Sequence, residues 1–174
     1  GSLSSELYYM SKSAFGAGNK KKLLKKSNRL KILISPHAFC DSPHIFGKAF
    51  FPDFYIWLQN LGEISNKTNY DWYIKCHPDP QTYFDNTTAV IKKFVKKYPK
   101  IIYLKPSSAH NQIINEGIDY VLTVYGTISG EYPYLGVNAI NASKNHTQAN
   151  YKFTITPKNR KEYCLIFSLL ILFV

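Results

Sequence analysis

Four residues in a short polar segment, Gly126, Thr127, Ser129 and Glu131, have the types and spacing of a site for a phosphate and for hydroxyl groups. Glycine lets an anion approach the backbone, and the two hydroxyl groups can donate hydrogen bonds to it. A carboxylate one turn into a following helix could accept both hydroxyls of a ribose or of another sugar. The alternative is structural, in which the glycine serves a turn, the threonine caps a helix and the glutamate is solvated.

Two apolar runs flank this segment, from Tyr120 to Val124 and from Val137 to Ile140. The pattern predicts a strand over Asp119 to Val124, a tight turn at Tyr125-Gly126-Thr127, a short helix and a further strand. In a parallel α/β sheet, ligands bind at the turn between the carboxyl end of a strand and the next helix, because free N–H groups point there. The four residues above would lie in such a turn.

A second group of candidate residues follows the apolar run from Leu30 to Ser35, which predicts a buried strand. Directly beyond it, His37, Asp41 and His44 are spaced so that a folded loop could place an imidazole beside a carboxylate. That pairing raises imidazole basicity and fixes its tautomer, as a general base requires. A hydrogen bond that only stabilises the loop is the alternative.

A third group follows the predicted strand Tyr70 to Cys76, which would bring Lys75, His77 and Pro78 to the same edge of the sheet. A histidine there can donate a hydrogen bond to a phosphate oxygen or to a base carbonyl, while the proline fixes the direction of the loop. A purely structural histidine is the alternative.

The remaining pattern alternates helices with strands. Helical periodicity covers Phe50 to Ile64 and Asp85 to Tyr98, a strand is predicted over Ile101 to Leu104, and a short helix is predicted from Pro106 to Gly117. Such alternation implies right-handed crossovers. The predicted fold class is α/β, a Rossmann-like parallel sheet with helices on both faces.

Three stretches resemble bacterial glycosyltransferases of the GT-B fold, particularly those that build capsular and other surface polysaccharides. The sequence TVYGTISGEYPYLGVNAIN resembles their donor-site strand, loop and helix. YIKCHP resembles the strand ending in a His-Pro motif in enzymes that use CMP-activated sugars, and HAFCDSPH with FFPDFYIWL resembles the same group. The resemblance spans about Leu30 to Glu162.

The resemblance implies one Rossmann-like half of a GT-B enzyme, a nucleotide-sugar donor, a glycan acceptor, and no cofactor or bound metal. Among donors, His77-Pro78 favours CMP-linked sugars. It places Gly126, Thr127 and Ser129 at the phosphate, Glu131 at donor hydroxyls, and Lys75 and His77, with Pro78, at the nucleotide phosphate. It places Ser107 and Ser108, with His110, beside the nucleotide. Asp41, with His44 or His37, would activate an acceptor hydroxyl or position donor and acceptor.

The 174 residues, 45% of them hydrophobic, suit one domain with an ordinary core. We expect a basic linker or arm over residues 1–29, a nucleotide-sugar-binding domain over 30–162 and an apolar C-terminal tail over 163–174. The tail is too short to span a bilayer, which takes about 20 residues. Five alternatives stay open for it: a buried helix, an edge strand, a dimer contact, a shallow membrane anchor or the product of an altered reading frame. Gly1-Ser2 is typical of a cloning remnant, and we expect a fragment that lacks an acceptor-binding domain.

The net charge of +11 is concentrated at the N-terminus. Residues 1–31 hold eight Lys or Arg residues against Glu6, which leaves the remainder only mildly basic. The cluster from Lys20 to Lys31 could contact anionic lipid at the inner membrane face, or could be a solvated linker. Nucleic acid is disfavoured because the core has no recognised binding motif. Three cysteines without a CxxC pair argue against a disulfide framework or structural zinc, and a cytoplasmic bacterial protein fits best.

Two other functions fit the same residues. The first is a nucleotide-sugar epimerase or hydrolase of the same fold, which would share the donor pocket and need no acceptor. The second is a non-catalytic module that docks a polysaccharide assembly complex through Lys20 to Lys31 and the apolar tail.

Overall fold

Six parallel strands with helices on both faces form the fold. The structure is a computed structural model that describes residues 18, 21–39, 47–76 and 86–170. The spatial order of the strands is β3-β2-β1-β4-β5-β6, and every neighbouring pair is parallel. The strands are β1 (Lys31–Ile34), β2 (Asp71–Lys75), β3 (Ile101–Leu104), β4 (Tyr120–Thr123), β5 (Asn138–Asn141) and β6 (Thr154–Ile155). The predicted fold class, a Rossmann-like α/β sheet, is confirmed.

Five helices connect or follow these strands in the described residues. They are α1 (Phe54–Lys67), α2 (Thr87–Lys97), α3 (His110–Asn115), α4 (Ile128–Tyr134) and α5 (Arg160–Leu169). Helix α1 begins four residues after the start that periodicity predicted, because Asp53 caps it by accepting a hydrogen bond from the Ile56 N–H at 2.7 Å. Pro52 therefore precedes the helix and its cap.

Strand alternation divides the core into two layers. On one face, α1, α2 and α5 pack over side chains that include Ile34, Ile74 and Leu122. On the other face, α3 and α4 pack over the strand residues between them, such as Leu33 and Val121. Successive strand residues point to opposite faces, so each strand contributes to both layers. All five residues of β2 are buried, as expected for a strand inside a covered parallel sheet.

The edge strand β6 is the strand that sequence periodicity did not predict. It consists of two residues, Thr154 and Ile155, which pair in parallel with Ala139 and Ile140 of β5. Two residues are too few to produce a recognisable alternation. Its position fills the edge of the sheet beside β5 and leads the chain into α5.

The start of the apolar C-terminal stretch forms part of a helix packed on the sheet. Helix α5 is capped by Asn159 and buries Tyr163 and Phe167. The Trp57 indole N–H donates to the Tyr163 hydroxyl at 2.8 Å, and the Tyr70 hydroxyl donates to the Phe167 carbonyl at 2.7 Å. The described part of this stretch is therefore helical rather than an edge strand, and its other face leaves Leu165 and Leu169 exposed. No helix within the described ranges is long and apolar enough to cross a membrane.

The described end of the basic segment is attached to the α3 face of the domain. The N–H groups of Leu23 and Leu24 donate to one carboxylate oxygen of Glu116 at 2.8 and 2.7 Å, and the Lys25 N–H donates to the Tyr73 hydroxyl at 2.9 Å. Leu24 is buried in the same layer as Leu33. The domain boundaries themselves stay predictions.

Replacing Tyr163 by Phe should lower the free energy of unfolding by about 1–3 kcal/mol, because the buried Trp57 N–H would lose its acceptor while the ring packing remains. Chemical denaturation measures the change. The control is Tyr151→Phe, since the Tyr151 side chain is 60% exposed. Equal stability of the two variants would contradict the structural role of this hydrogen bond.

Replacing Glu116 by Gln should change how the free energy of unfolding depends on pH in the acidic range. Partial burial opposes ionisation, but hydrogen bonds from the Leu24 N–H, the Gln112 amide and the Leu23 N–H lower the pKa of Glu116 below its usual 4.5. A lowered folded-state pKa stabilises the protein above about 4.5, and that stability is lost as pH falls through the folded-state value. The free energy of unfolding of the wild type should therefore exceed that of Glu116→Gln by about 1–2 kcal/mol at pH 7 and by less at pH 3. Glu131→Gln, on an exposed residue, is the control for both measurements.

Candidate functional site

The sheet reverses its strand order between β1 and β4. The chain leaves β1 toward α1 on one face and leaves β4 toward α4 on the opposite face. In open parallel sheets, the crevice beyond the carboxyl ends of two such strands is where ligands bind. His37 follows β1 and the turn at Tyr125-Gly126-Thr127 follows β4. The structure thus brings two of the predicted groups to one place.

His37 is held against the turn after β4 by its ring nitrogen and by its ring faces. Its Nε2 accepts a hydrogen bond from the Tyr125 N–H at 3.3 Å and lies 3.2 Å from the Thr123 hydroxyl. The imidazole ring stacks on the Phe54 ring with 4.7 Å between the ring centroids, and it lies tilted against the Tyr125 ring with 4.4 Å between the centroids. Since a backbone N–H can only donate, Nε2 carries the lone pair and a neutral ring has its proton on Nδ1.

Gly126 is required by close approach to its neighbours. A Cβ at this position would lie 2.9 Å from the Thr123 hydroxyl oxygen and 3.5 Å from the His37 Cε1. The Thr123 hydroxyl also accepts a hydrogen bond from the Gly126 N–H at 3.2 Å. A side chain at 126 would therefore displace the threonine hydroxyl while only touching the imidazole, and the turn, His37 and Thr123 form one packed unit.

The other predicted residues of this turn differ in accessibility. Thr127 and Glu131 are exposed at the start of α4, so both side chains are open to a ligand. Ser129 is fully buried, and its hydroxyl lies 2.8 Å from the Gly126 carbonyl and 2.9 Å from the Gln148 side-chain oxygen. The serine hydroxyl thus supports the turn and is not presented at its surface, unlike the direct phosphate contact predicted from the sequence.

Lys75 points into the α3 and α4 face of the sheet. Its side chain is 2% exposed, and its Nζ lies 3.1 Å from the His110 Nε2. The His110 Nδ1 lies 2.7 Å from the Tyr132 hydroxyl. A lysine ammonium can only donate, so Nε2 accepts and the Nδ1 hydrogen is directed to the tyrosine oxygen. These three hydrogen-bonded side chains join β2, α3 and α4. The Lys75 ammonium is thus buried in this structure and not exposed for the direct nucleotide contact that the resemblance implied.

Burial lowers the pKa of Lys75 from 10.5 to about 8, although the neighbouring Cys76 opposes the shift. Burial also raises the pKa of Tyr132, and the nearby Glu131 charge adds to the effect. Desolvation of the charged form causes both changes. Tyr132 is therefore neutral at physiological pH, and Lys75 is an ammonium with a weakened hold on its proton.

The remaining predictions have mixed outcomes. Ser107 is exposed and Ser108 is buried in the turn after β3, where the Ser108 N–H donates to the Lys105 carbonyl at 2.9 Å. Asp41, His44, His77 and Pro78 lie outside the described residues. Their proposed roles stay predictions.

Sequence reasoning missed several polar residues at the same edge. Thr123 and Asn141 are fully buried at the ends of β4 and β5 and stand opposite each other in the ladder, while Gln148 contacts the first turn of α4. Extending the strand alternation of β5 by one residue would have marked Asn141 as an inward-facing polar side chain. Nothing in the sequence signals Gln148.

His146 lies in the connection between β5 and β6. Its Nε2 is 2.9 Å from the Thr156 hydroxyl, and the ring is 7% exposed. Burial lowers the pKa of His146 below its usual 6.5, and the adjacent Gln148 side chain opposes this only in part. The imidazole is therefore neutral at pH 7. Among the described residues, no group of three His, Cys, Asp or Glu side chains could hold a metal ion.

No protein-family model and no curated protein sequence matches this chain. The solved structures that are similar in fold include two epimerases. The UDP-GlcNAc 2-epimerase from Neisseria meningitidis, bound to UDP-GlcNAc, has 16% identity and a TM-score of 0.56 over 84% of this chain and 38% of that one. The UDP-GlcNAc 2-epimerase of Methanocaldococcus jannaschii, in complex with UDP-GlcNAc and UDP, has 15% identity and a TM-score of 0.53 over 98% of this chain and 42% of that one. The chain therefore spans about two fifths of each GT-B-like neighbour, and the likeness agrees with a Rossmann-like half of that fold.

The buried lysine predicts a stability difference that depends on pH. Lys75 keeps its usual affinity for protons when unfolded but holds the proton less tightly when folded, so wild-type stability should rise as pH increases from about 8 to 10.5. Lys75→Met should lack that rise. The free energy of unfolding of the wild type should therefore increase, relative to that of the variant, by on the order of 3 kcal/mol between the two pH values. Urea denaturation at pH 7.0 and 10.5 measures it.

Lys92→Met, on the exposed side of α2, is the matched control and should follow the wild-type curve at both pH values. Parallel curves for Lys75→Met and the wild type would contradict a buried ammonium at this position.

Proposed function

We propose that this chain is the donor-binding domain of a metal-independent glycosyltransferase that takes its sugar from a nucleotide sugar and builds a bacterial capsule or surface polysaccharide. The observation that carries the proposal is the junction of His37 with the Gly126 turn at the point where strand order reverses. The same edge of the sheet holds an imidazole, the backbone of the turn before α4 and the exposed oxygen-bearing side chains of Thr127 and Glu131. Those are the groups that recognise a phosphate joined to a sugar.

The accessible residues suggest how the donor would be held. Thr127 would donate its hydroxyl hydrogen to a phosphate oxygen, and the exposed Glu131 carboxylate would accept hydrogen bonds from donor hydroxyls. Ser129 would support the turn from below. Lys75 would act through His110, keeping the start of α3 in place against Tyr132 of α4, rather than by contacting the nucleotide. His77 and Pro78 at the phosphate, and Ser107 and Ser108 beside the nucleotide, complete the proposed donor site.

The catalytic roles proposed for Asp41 and His44 involve His37, which is the member of this group that the structure describes. Its Nε2 accepts from the backbone of the turn, which fixes the ring and directs Nδ1 away from that contact. Because Nε2 is occupied and the neutral ring carries its proton on Nδ1, His37 would position donor and acceptor, and Asp41 with His44 would take the proton of an acceptor hydroxyl. The acceptor would be a glycan held with the help of a further domain, and Lys20 to Lys31 would hold the enzyme at the inner face of the membrane.

A second candidate is a nucleotide-sugar epimerase, favoured by the two similar structures, both of which are UDP-GlcNAc 2-epimerases. Their bound UDP-GlcNAc favours a UDP-linked donor, whereas the His-Pro resemblance favours a CMP-linked one. Product analysis separates the reactions. An epimerase changes the stereochemistry of the sugar without an acceptor, while a transferase needs an acceptor and releases the nucleotide.

Nucleotide and nucleotide-sugar binding should raise the melting temperature. At about 100 times its dissociation constant, the correct ligand should add about 2.7 kcal/mol, or roughly 5–10 °C for a chain of this size. Thermal unfolding with UDP, CMP, UDP-GlcNAc and a CMP-linked sialic acid measures the shift. Thr127→Ala and Glu131→Gln should unfold like the wild type without ligand but show a smaller shift, because both residues are exposed.

Asn138→Ala is the matched control, since Asn138 is exposed at the opposite, amino end of β5. It should respond to ligand as the wild type does. The absence of any ligand-induced shift in the wild type would contradict the nucleotide-sugar proposal.

A further inference from the structure

Asn141 is buried at the carboxyl edge of the sheet with its hydrogen-bonding groups unmet. Its side chain has 0% exposure, and neither Oδ1 nor Nδ2 has a hydrogen-bond partner within the described part of the chain. A buried donor or acceptor without a partner destabilises a fold, whereas an apolar side chain of similar shape would not. The residue type at 141 is therefore not explained by packing alone.

The position of Asn141 connects it to the proposed donor site. It is the last residue of β5, and its partner in the ladder is Thr123, whose hydroxyl meets His37 and Gly126. Strand alternation places Asn141 on the same face as Ala139, which packs with Ile128 of α4. The carboxamide thus lies on the face that α4 covers, at the edge where that helix begins.

The buried polar groups between the first turn of α4 and the connection after β5 are neutral. Ser129 and Gln148 link the first turn of α4 to the connection after β5. In the same connection, His146 has a buried Nδ1 that makes no hydrogen bond to any described residue. Hydroxyl, carboxamide and uncharged imidazole groups do not neutralise an anion, but they match hydroxyl groups, which both donate and accept.

We infer that Asn141 belongs to a buried neutral subsite that binds hydroxyl groups of the sugar part of the donor, while the Gly126 turn faces the phosphates. This inference rests on the proposed function. The carboxamide supplies one acceptor and two donors, so it can satisfy adjacent hydroxyls of one ring and have its own groups satisfied in return. A single trapped water molecule is the competing occupant.

The test compares wild type with Asn141→Leu, which replaces the carboxamide by an apolar side chain of similar shape. Without ligand, the variant should melt about 2–6 °C higher, because two unmet polar atoms are removed. Titration with UDP or CMP should give the wild-type affinity. The gain in affinity from nucleotide to nucleotide sugar, measured with UDP-GlcNAc and a CMP-linked sialic acid, should fall by roughly tenfold.

Asn138→Leu, at the exposed end of the same strand, is the matched control and should keep the full gain for the sugar. If Asn141→Leu does not fold, Asn141→Ala gives the same comparison of nucleotide with nucleotide sugar. A variant that melts below the wild type and keeps the full gain would show that a structural water occupies the site and would overturn the inference alone. A wild type that binds neither nucleotides nor nucleotide sugars would overturn the proposed function, and this inference with it.

Discussion

The pairing of β1 with β4 is the constraint on which the arrangement of the site depends. β1 pairs with β2 on one side and with β4 on the other. In the chain, 85 residues separate the last residue of β1 from the first residue of β4. Because the chain leaves these two strands toward opposite faces, a crevice opens beyond their ends. The Ser35 N–H donates to the Leu122 carbonyl at 2.9 Å, which continues the ladder past β1 and delivers His37 to the turn after β4. A slip of one residue in this register would carry the imidazole away from Tyr125.

The two faces of the sheet differ in the chemistry of their buried side chains. The face under α1, α2 and α5 is rich in aromatic side chains, and its buried polar contacts are paired, as between Trp57 and Tyr163. The face under α3 and α4 carries the chain from Lys75 to His110 and Tyr132. Polar groups can be accommodated there because the first face already buries a large apolar area. Loss of the Trp57–Tyr163 hydrogen bond should therefore lower stability alone, whereas loss of the contact between Lys75 and His110 should change both stability and the position of α3.

The sequence was sufficient to predict those elements whose pattern is local. Alternation and apolar runs predict the five longer strands, and the single apolar face of α2 identifies that helix. The contact between Lys75 and His110 was beyond prediction, because it joins residues 35 apart and depends on how α3 settles against β2. Strand ends predicted that His37 and Gly126 would be near each other, but only the packed structure shows that Thr123 lies between them and that Ser129 turns inward.

Three strands end in buried polar residues on the same face, β2 in Lys75, β4 in Thr123 and β5 in Asn141. Apolar residues at these positions would continue the layer formed by Tyr73, Val121 and Ala139 at lower free-energy cost. The departure from the apolar pattern occurs at the carboxyl ends of the strands, which is the edge where a parallel sheet binds ligands. Natural sequences break local rules chiefly where function requires it. The distribution of buried polarity in this fold thus supports a ligand site at the same edge, independently of any likeness to other proteins.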